Sequence, residues 1–271
     1  MEKLIDVVYP IGTGSRWDNN ELRFSLRAIE KYGRNVGKIV IVGVLPDFLD
    51  NQVIHIPVKD FFSPSVNADG NIIKKVLAAC TDMRISEDFL FINDDHILLK
   101  EIKLNEVPNF HKGNMNEYQE NYWKLNYWRS RLKKTRDTLN KMGLTAYHFD
   151  CHTPIICNKK KFIEAMEKFN YSEGVGLTMK SLYGNLYYKD NCKLLSYEKK
   201  TIFVKFDELQ IDARLKHAQF LSFNDTGLNE SLKIWLFKKF PEESKWEKTA
   251  IKERDMEIVK WLNGNKDYKA E

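Results

Sequence analysis

The sequence predicts an α/β fold with a mainly parallel central sheet flanked by helices. Three observations lead to it. Apolar strand-like runs alternate with helix-period segments in the order β-α-β-β-α-β over the first hundred or so residues. The runs themselves, LIDVVY and KIVIVGV among them, are apolar enough for buried strands. Polar loops, IGTGS and NDD, follow strand ends, where sheets of this kind bind their ligands.

Taken in order, Leu4–Tyr9 is the first strand, ended by Pro10 and the loop IGTGS. DNNELRFSLRAIEKYG is a helix: Asp18, Asn19 or Asn20 can cap it, Leu22, Leu26 and Ile29 recur at helical spacing, and Gly33 ends it. Lys38–Val44 is the next strand and VIHIPV a shorter one. Asp69 and Gly70 lead into the helix NIIKKVLAACTDM, and Asp88–Asn93 is a buried strand with Asp94 and Asp95 at its end. From about Asn114 to Lys141 the chain is polar, aromatic, basic and expected to be helical. HFDCHTPIIC is strand-like, NKKKFIEAMEKF a helix, and Gly174–Tyr188 a turn and helix. TIFVKF and AQFLSFNDTG are strands, the second ending in Asn224–Asp225, and NESLKIWLFKKF is an amphipathic helix. The charged tail after Pro241 is expected to be helical. The whole, 1–271, reads as a single domain with a helical insertion at about 112–143 and a helical C-terminal part.

Composition permits a substantial core, with 43% hydrophobic residues in 271. No apolar run approaches the roughly 20 residues of a membrane span, and the N-terminus lacks the features of a signal peptide. Cys80, Cys151, Cys157 and Cys192 form no CxxC pair, so reduced thiols and a cytoplasmic location are expected. A net charge of +5 gives a mild pull toward anionic partners.

Asp94 and Asp95 sit between two apolar runs in FLFINDDHILL, where charges are costly unless compensated. Carboxylates at a strand end can fix a divalent cation that clamps a leaving diphosphate, and hard oxygen ligands suit Mg²⁺ or Mn²⁺. The plainer reading is a turn cap. His96 is a third ligand or the first residue of a following strand; core-like Ile97 and Leu98 favour the strand. His152, in DCHTP, is a general base for an attacking hydroxyl or a hydrogen-bonded structural histidine. FLSFNDT echoes FLFINDD, through shared turn chemistry or because two strand ends face one site. The IGTGS loop is neither a dinucleotide fingerprint nor a P-loop; Gly12 offers close backbone approach to a nucleotide. Arg129, Arg131, Lys133, Lys134 and Arg136 form a basic helix, read as a solvated face or as a surface for a phosphorylated, lipid-linked or nucleic-acid acceptor.

Together these segments resemble the Stealth family of phosphosugar transferases, in four places and in the family's order. IDVVY resembles the first region. RWDNNELRFSLRAIEKYGRNVGKIVIV, LPDFLD and SEDFLFINDD resemble the second, and HFDCHTPIICNKKKFIEAM, centred on His-x-Pro, the third. AQFLSFNDTG with KIWLFKKFPEESKWEK resembles the fourth. Two departures stand out. Pro10-Ile11-Gly12-Thr13 follows the first strand where the family has Thr-Trp-Val-Asp or similar, and GVGLTMKSLYGN, downstream of His152, carries only Lys180 where the family has an arginine and acidic residues.

The resemblance implies a GT-A-like nucleotide-binding core, a Mg²⁺ or Mn²⁺ ion and a UDP-sugar donor. Asp94, Asp95 and Asp225 become metal or diphosphate ligands, with Asp95 and His152 catalytic. Gly12, Arg16, Asn19, Arg23, Asn67 and Asn224 form the donor-binding set, with Glu21 beside them. Arg23 and Arg27 face phosphate or form ion pairs on the helix. The implied reaction gives the acceptor's proton to His152 and moves sugar-1-phosphate, releasing UMP. The rival is glycosyl transfer with release of UDP, to a saccharide, lipid carrier or modified nucleic-acid base. A non-catalytic carbohydrate- or nucleic-acid-binding protein is the alternative of a different class.

Overall fold

The computed structural model describes residues 3–124 and 126–248. Its centre is a five-stranded sheet in the order β4-β3-β1-β5-β9. β1 (Ile5–Ile11), β3 (Val36–Gly43), β4 (Ile54–Ile56) and β5 (Asp88–Phe91) run parallel, and β9 (Ile155–Asn158) closes one edge antiparallel to β5. Side chains alternate along each strand, so the sheet builds two cores. Val7, Tyr9, Ile11, Ile39, Ile41 and Leu90 face one side, with α1 (Asn20–Tyr32), α6 (Glu208–Leu215) and α7 (Glu230–Lys239) contributing to the same core. Val8, Val40, Val42, Phe89 and Phe91 face the other, with α2 (Pro64–Thr81), α3 (Tyr127–Lys141), α4 (Lys159–Glu167) and α5 (Met179–Tyr187). The expected α/β class with a mainly parallel sheet is the observed one.

A second sheet stands beside the first. β11 (Lys199–Ile202) pairs parallel with β12 (Phe220–Phe223), and β12 pairs antiparallel with β6 (His96–Leu98). His96 does open a strand, but in this second sheet, so the Asn93–Asp95 turn links the two. Two minor parallel pairs, β2 (Gly33–Arg34) with β7 (Ile102–Lys103) and β8 (Phe110–His111) with β10 (Lys193–Leu194), complete the pairing among the described residues.

Several expected boundaries shift. α2 starts at Pro64 rather than after Asp69, and Asn67 breaks its regularity at φ −131°, ψ 63°. The helical region expected from 114 is 3₁₀ at Met115–Glu117 and Glu120–Lys124, and α-helical only at Tyr127–Lys141. Only the last part of HFDCHTPIICN is strand: the left-handed backbone at His152, φ 53°, cannot continue a ladder. The strand expected at TIFVKF starts two residues earlier and ends four earlier, β11 ending at Ile202 and leaving Phe203 and Val204 exposed. α6 went unread. The charged tail lies outside the described residues from 249 onward. Before it, residues 241–248 form no helix; they pack Trp246 and Glu247 against α1 and the 48–50 loop.

Candidate active site

The strand ends and the second sheet enclose a cleft of about 310 Å³. The Gly12–Ser15 loop after β1, Asp94 and Asp95 after β5, and Asn224 and Asp225 after β12 all line it. Turn chemistry shapes both acidic corners. The Asp95 N–H donates to Asp94 Oδ1 at 3.1 Å, and the Gly227 N–H donates to Asn224 Oδ1 at 2.9 Å. The echo between FLFINDD and FLSFNDT is thus local turn chemistry and a shared site at once. Glu21 adds a further carboxylate from the first turn of α1, where it accepts a hydrogen bond from Ser15 Oγ at 2.8 Å.

This crowding shows in the acidities. Burial, then the charges of Asp95 and Glu21, push Asp94 up to about 7. Burial also raises Glu21, opposed by its own backbone and Ser15 and reinforced by Asp225 and Asp95. Asp95 goes the other way: burial would raise it, but His96, His152 and Lys199 hold it well below the usual carboxylate range. One carboxylate therefore borders a carboxylate-lined cleft on one side and a wall of nitrogen bases on the other.

That wall begins with His152. Its backbone is left-handed, a conformation that costs a non-glycine residue about 1–3 kcal/mol unless its surroundings hold it. α5 does the holding. Lys180 Nζ donates to the Thr153 carbonyl at 2.7 Å, and Ser181 Oγ donates to Asp150 while accepting from the Phe149 N–H at 3.1 Å. Asn185 pins both the N–H and the carbonyl of Tyr147, each at 2.8 Å. Thus fixed, His152 places Nδ1 3.7 Å from Asp95 Oδ2. Burial lowers its pKa against the pull of Asp95.

On the other oxygen of Asp95, His96 Nε2 stands 3.6 Å from Oδ1. His96 is 2% exposed, and both its ring nitrogens lack a hydrogen-bond partner. Its carbonyl is anchored: Ser25 Oγ donates to it at 2.7 Å and accepts in turn from the Tyr9 hydroxyl at 2.9 Å. The ligand atoms of Asp95, His96 and His152 lie within 4.8 Å of one another, a set that fits a divalent cation. His96 therefore has a second property besides opening a strand: its ring faces Asp95.

Other predicted residues fall differently. Arg16 pairs with Asp225 at 3.1 Å, both largely exposed. Asn19 precedes α1 in a left-handed conformation, makes no side-chain cap bond, and has a buried Oδ1 without a partner. Arg23 and Asn67 lie outside the cleft lining. Arg23 binds Glu247 and stacks on Phe48, and Asn67 joins the Tyr171 carbonyl to the Gly70 N–H. Sequence reasoning missed the buried Lys75–Asp60 pair, 2.5 Å apart in the cleft wall. Asn71 and Lys75, one turn apart on α2, were its available signal. It also missed Lys199, whose amine burial and the nearby Lys112 pull down to about 7.

On the basic helix Arg131 is buried, and Arg129, Lys133, Lys134 and Arg136 are part-exposed but engaged with neighbours. Arg131, 4% exposed, pairs with Asp69 at 2.6 Å and donates to the Val66 and Val175 carbonyls. Arg129 lies over Tyr122 and Arg136 over Trp123. Lys134 donates to the Glu173 carbonyl and Lys133 pairs with Glu120.

No family model and no curated protein matches this sequence. Solved structures do. The bifunctional glycosyltransferase WbbM superposes with a TM-score of 0.52 at 13% identity, over 96% of this chain and 52% of WbbM. This chain thus spans about half the length of that neighbour. The galactosyltransferase LgtC, in complex with donor and acceptor sugar analogues, superposes with a TM-score of 0.52 at 11% identity, over 89% of this chain and 97% of LgtC. At such identities the likeness concerns the fold, and the fold is that of the GT-A glycosyltransferases.

Proposed function

We propose that this chain is a metal-dependent nucleotide-sugar transferase that moves a glycosyl group from a UDP-sugar to an acceptor hydroxyl. The observation that carries the proposal is the meeting of two acidic strand ends, Asp94–Asp95 and Asn224–Asp225, in one cleft beside the Gly12–Ser15 loop. A nucleotide diphosphate brings four requirements: close backbone approach, a cation, a counter-charge for the leaving group and a water-poor wall. Gly12 supplies the first; a Cβ there would meet nothing nearer than 3.7 Å. A Mg²⁺ or Mn²⁺ ion at Asp95 would supply charge stabilisation for the departing diphosphate, and the unpartnered nitrogens of buried His96 are consistent with such an ion nearby. Asp94, Asn224 and Asp225, which line the same cleft, would orient the donor. Lys180 and Lys199 stand behind Asp95 with His152, burial lowering the pKa of all three groups.

A saccharide acceptor is favoured over nucleic acid, because the basic side chains of α3 are engaged within the protein. The LgtC complex, with its sugar acceptor analogue, agrees. The second reading is transfer of sugar-1-phosphate, favoured by the Stealth-like INDD and His-x-Pro segments, a resemblance of motifs alone.

The test is a panel of UDP-sugars with Mn²⁺ and the purified protein, read by the nucleotide released. UDP supports glycosyl transfer and UMP supports phosphosugar transfer. Asp95→Asn is expected to lower release by at least about 100-fold. If neither metal nor any UDP-sugar raises the melting temperature, and no nucleotide appears, the protein is not such a transferase.

A further inference from the structure

The acidic cleft suggests an all-oxygen metal site built from Asp94, Asp95 and Asp225. The geometry points elsewhere. We infer that Asp95, His96 and His152 together hold one first-row transition-metal dication, Mn²⁺ in preference to Mg²⁺, at the back of the cleft.

The distances are the first reason. The Asp95–His96 and Asp95–His152 separations, 3.6 and 3.7 Å, are too long for N–H···O hydrogen bonds. They lie close to the spacing of donors around one ion: bonds of about 2.1 Å meeting at 90–110° put neighbouring ligands about 3.0–3.4 Å apart. Small rotations of two imidazoles would close that gap. Among the described residues no other trio of carboxylate, imidazole or thiol atoms comes within 4.8 Å. Asp94 and Asp225 are otherwise engaged, Asp94 with the Asp95 N–H and Asp225 with Arg16.

The second reason is independent. His96 is buried to 2% exposure, and neither Nδ1 nor Nε2 has a partner. A fully buried polar group is rarely left so, and an unplaced water or ion is a usual explanation. Nε2 faces Asp95, so an ion there satisfies it. The strand position of His96 and the chain from Tyr9 through Ser25 to its carbonyl fix the ring's origin. His152 reaches the same place only through its left-handed backbone, held by α5. Two histidines are thus brought to one carboxylate by unrelated devices.

Donor chemistry sets the metal class. Imidazole suits Fe²⁺, Ni²⁺ and Zn²⁺ best and Mn²⁺ less strongly, whereas Mg²⁺ prefers oxygen and keeps its waters. The His152 and Asp95 side chains are 37% and 21% exposed, so the ion's remaining positions would be open to a ligand from solvent. The inference rests on the transferase reading only for what that ligand is. It also alters His152's role: an imidazole bound to a cation through Nδ1 is a positioning group for the ion rather than the free base implied by the Stealth resemblance.

The experiment uses the full chain stripped of metal with a chelator, with Mn²⁺ alone as the probe. Bound ion is read from the loss of the free Mn²⁺ EPR signal, and Mg²⁺ is added as competitor. One Mn²⁺ per chain is expected, displaced only by Mg²⁺ in at least about tenfold excess over the Mn²⁺ needed. His96→Gln and His152→Ala should each weaken Mn²⁺ binding by about tenfold or more, while Asp94→Asn leaves it near the wild-type value. Co²⁺ substitution gives a second readout, because its visible bands change when an imidazole leaves. If His96→Gln fails to fold, as circular dichroism would show, the part-exposed His152→Ala carries the test. Wild-type affinity in His152→Ala, or loss of binding in Asp94→Asn or Asp225→Asn alone, overturns the inference. Mn²⁺ held at these residues without nucleotide release from any UDP-sugar would leave it standing and remove the transferase reading.

Discussion

Glu247 offers the sharpest test of how the site is braced. It lies 5% exposed beneath Arg23 and Arg27, which are 3% and 5% exposed. Arg27 binds it through Nε and Nη2, each at 2.9 Å; Arg23 donates to it through Nη1, and the Ser244 N–H caps the same carboxylate at 2.9 Å. Both arginines belong to α1, the helix whose first turn presents Glu21 to the cleft. Glu247→Gln keeps the shape and removes the charge shared by two buried guanidiniums. Breaking a buried ion pair from one side costs about 3–5 kcal/mol. Taking the lower figure, because the glutamine still accepts hydrogen bonds, about 3 kcal/mol at roughly 2–4 °C per kcal/mol gives a fall in Tm of about 6–12 °C. The pH dependence has a definite sign. Burial would raise Glu247, but Arg27 leads the groups that hold it below its ordinary 4.5 in the folded state. Its contribution is therefore complete above the unfolded value and is lost as pH falls through the folded one. The Tm gap between wild type and Glu247→Gln should be widest near neutrality and should narrow steadily below pH 4.5, as the wild-type carboxylate takes up its proton. Differential scanning calorimetry from pH 7 to pH 3 measures it. A gap under about 1 kcal/mol at pH 7, of the size seen for exposed pairs, would refute the buried-bridge reasoning.

Four further outcomes follow from the same structure. Gly12→Ala should leave Tm little changed, since its Cβ would have ordinary contacts with Asp60 and Lys75 at 3.7 and 3.8 Å, and should weaken donor binding less than a larger side chain does. Gly12→Leu should fill part of the cleft and weaken UDP-sugar binding by about tenfold or more, measured by calorimetric titration, with Tm little changed. Arg131→Met should lower stability by about 3–5 kcal/mol in urea titrations, because it leaves buried Asp69 without its counter-charge. Gly43→Ala should destabilise by about 2 kcal/mol or more, because φ is +116° and the new Cβ would collide with the Ile11 carbonyl.

What the sequence disclosed follows from what is local. β1, β3 and β5 were readable because strands buried on both faces are apolar throughout, and α1 because Leu22, Leu26 and Ile29 keep helical period before Gly33. α6 was readable and missed. Asp207 and Gln210 form a capping box at its start, a signal three residues long, but with Ile211 and Leu215 its only buried residues the segment looked like loop. The TIFVKF boundary slipped because exposed Phe203 and Val204 resemble strand residues. Arg23 was drawn toward the donor by its charge; its partner Glu247 lies 224 positions away and leaves no trace in a local window. The Arg27 alternative of an ion pair is what the fold uses. Asp94, Asp95, Asn224 and Asp225 were legible as strand-end turns. The convergence of His96 and His152 on Asp95 was not, because it depends on a sheet crossover and on one left-handed residue.

The charge layout also bears on which class of protein this is. A module that merely holds a neutral saccharide has no use for four carboxylates on one side of Asp95 and buried amines on the other. Glu21, Asp60, Asp94 and Asp225 line the cleft; Lys75 offsets Asp60 and Arg16 offsets Asp225, while burial and the charges of Asp95 and Glu21 lift Asp94 to about 7. Behind Asp95, Lys180 is bound to the Thr153 carbonyl and Lys199 to Thr201, each at least nine-tenths buried. Burying two ammonium groups beside two imidazoles is unfavourable unless an anion or Asp95 itself offsets them. A ligand that carries a cation and a diphosphate together meets both demands, the cation offsetting Asp95 and its neighbouring carboxylates and the phosphates offsetting the amines. A nucleotide sugar with its metal has that arrangement; a free sugar, or a nucleic acid held through its backbone alone, does not.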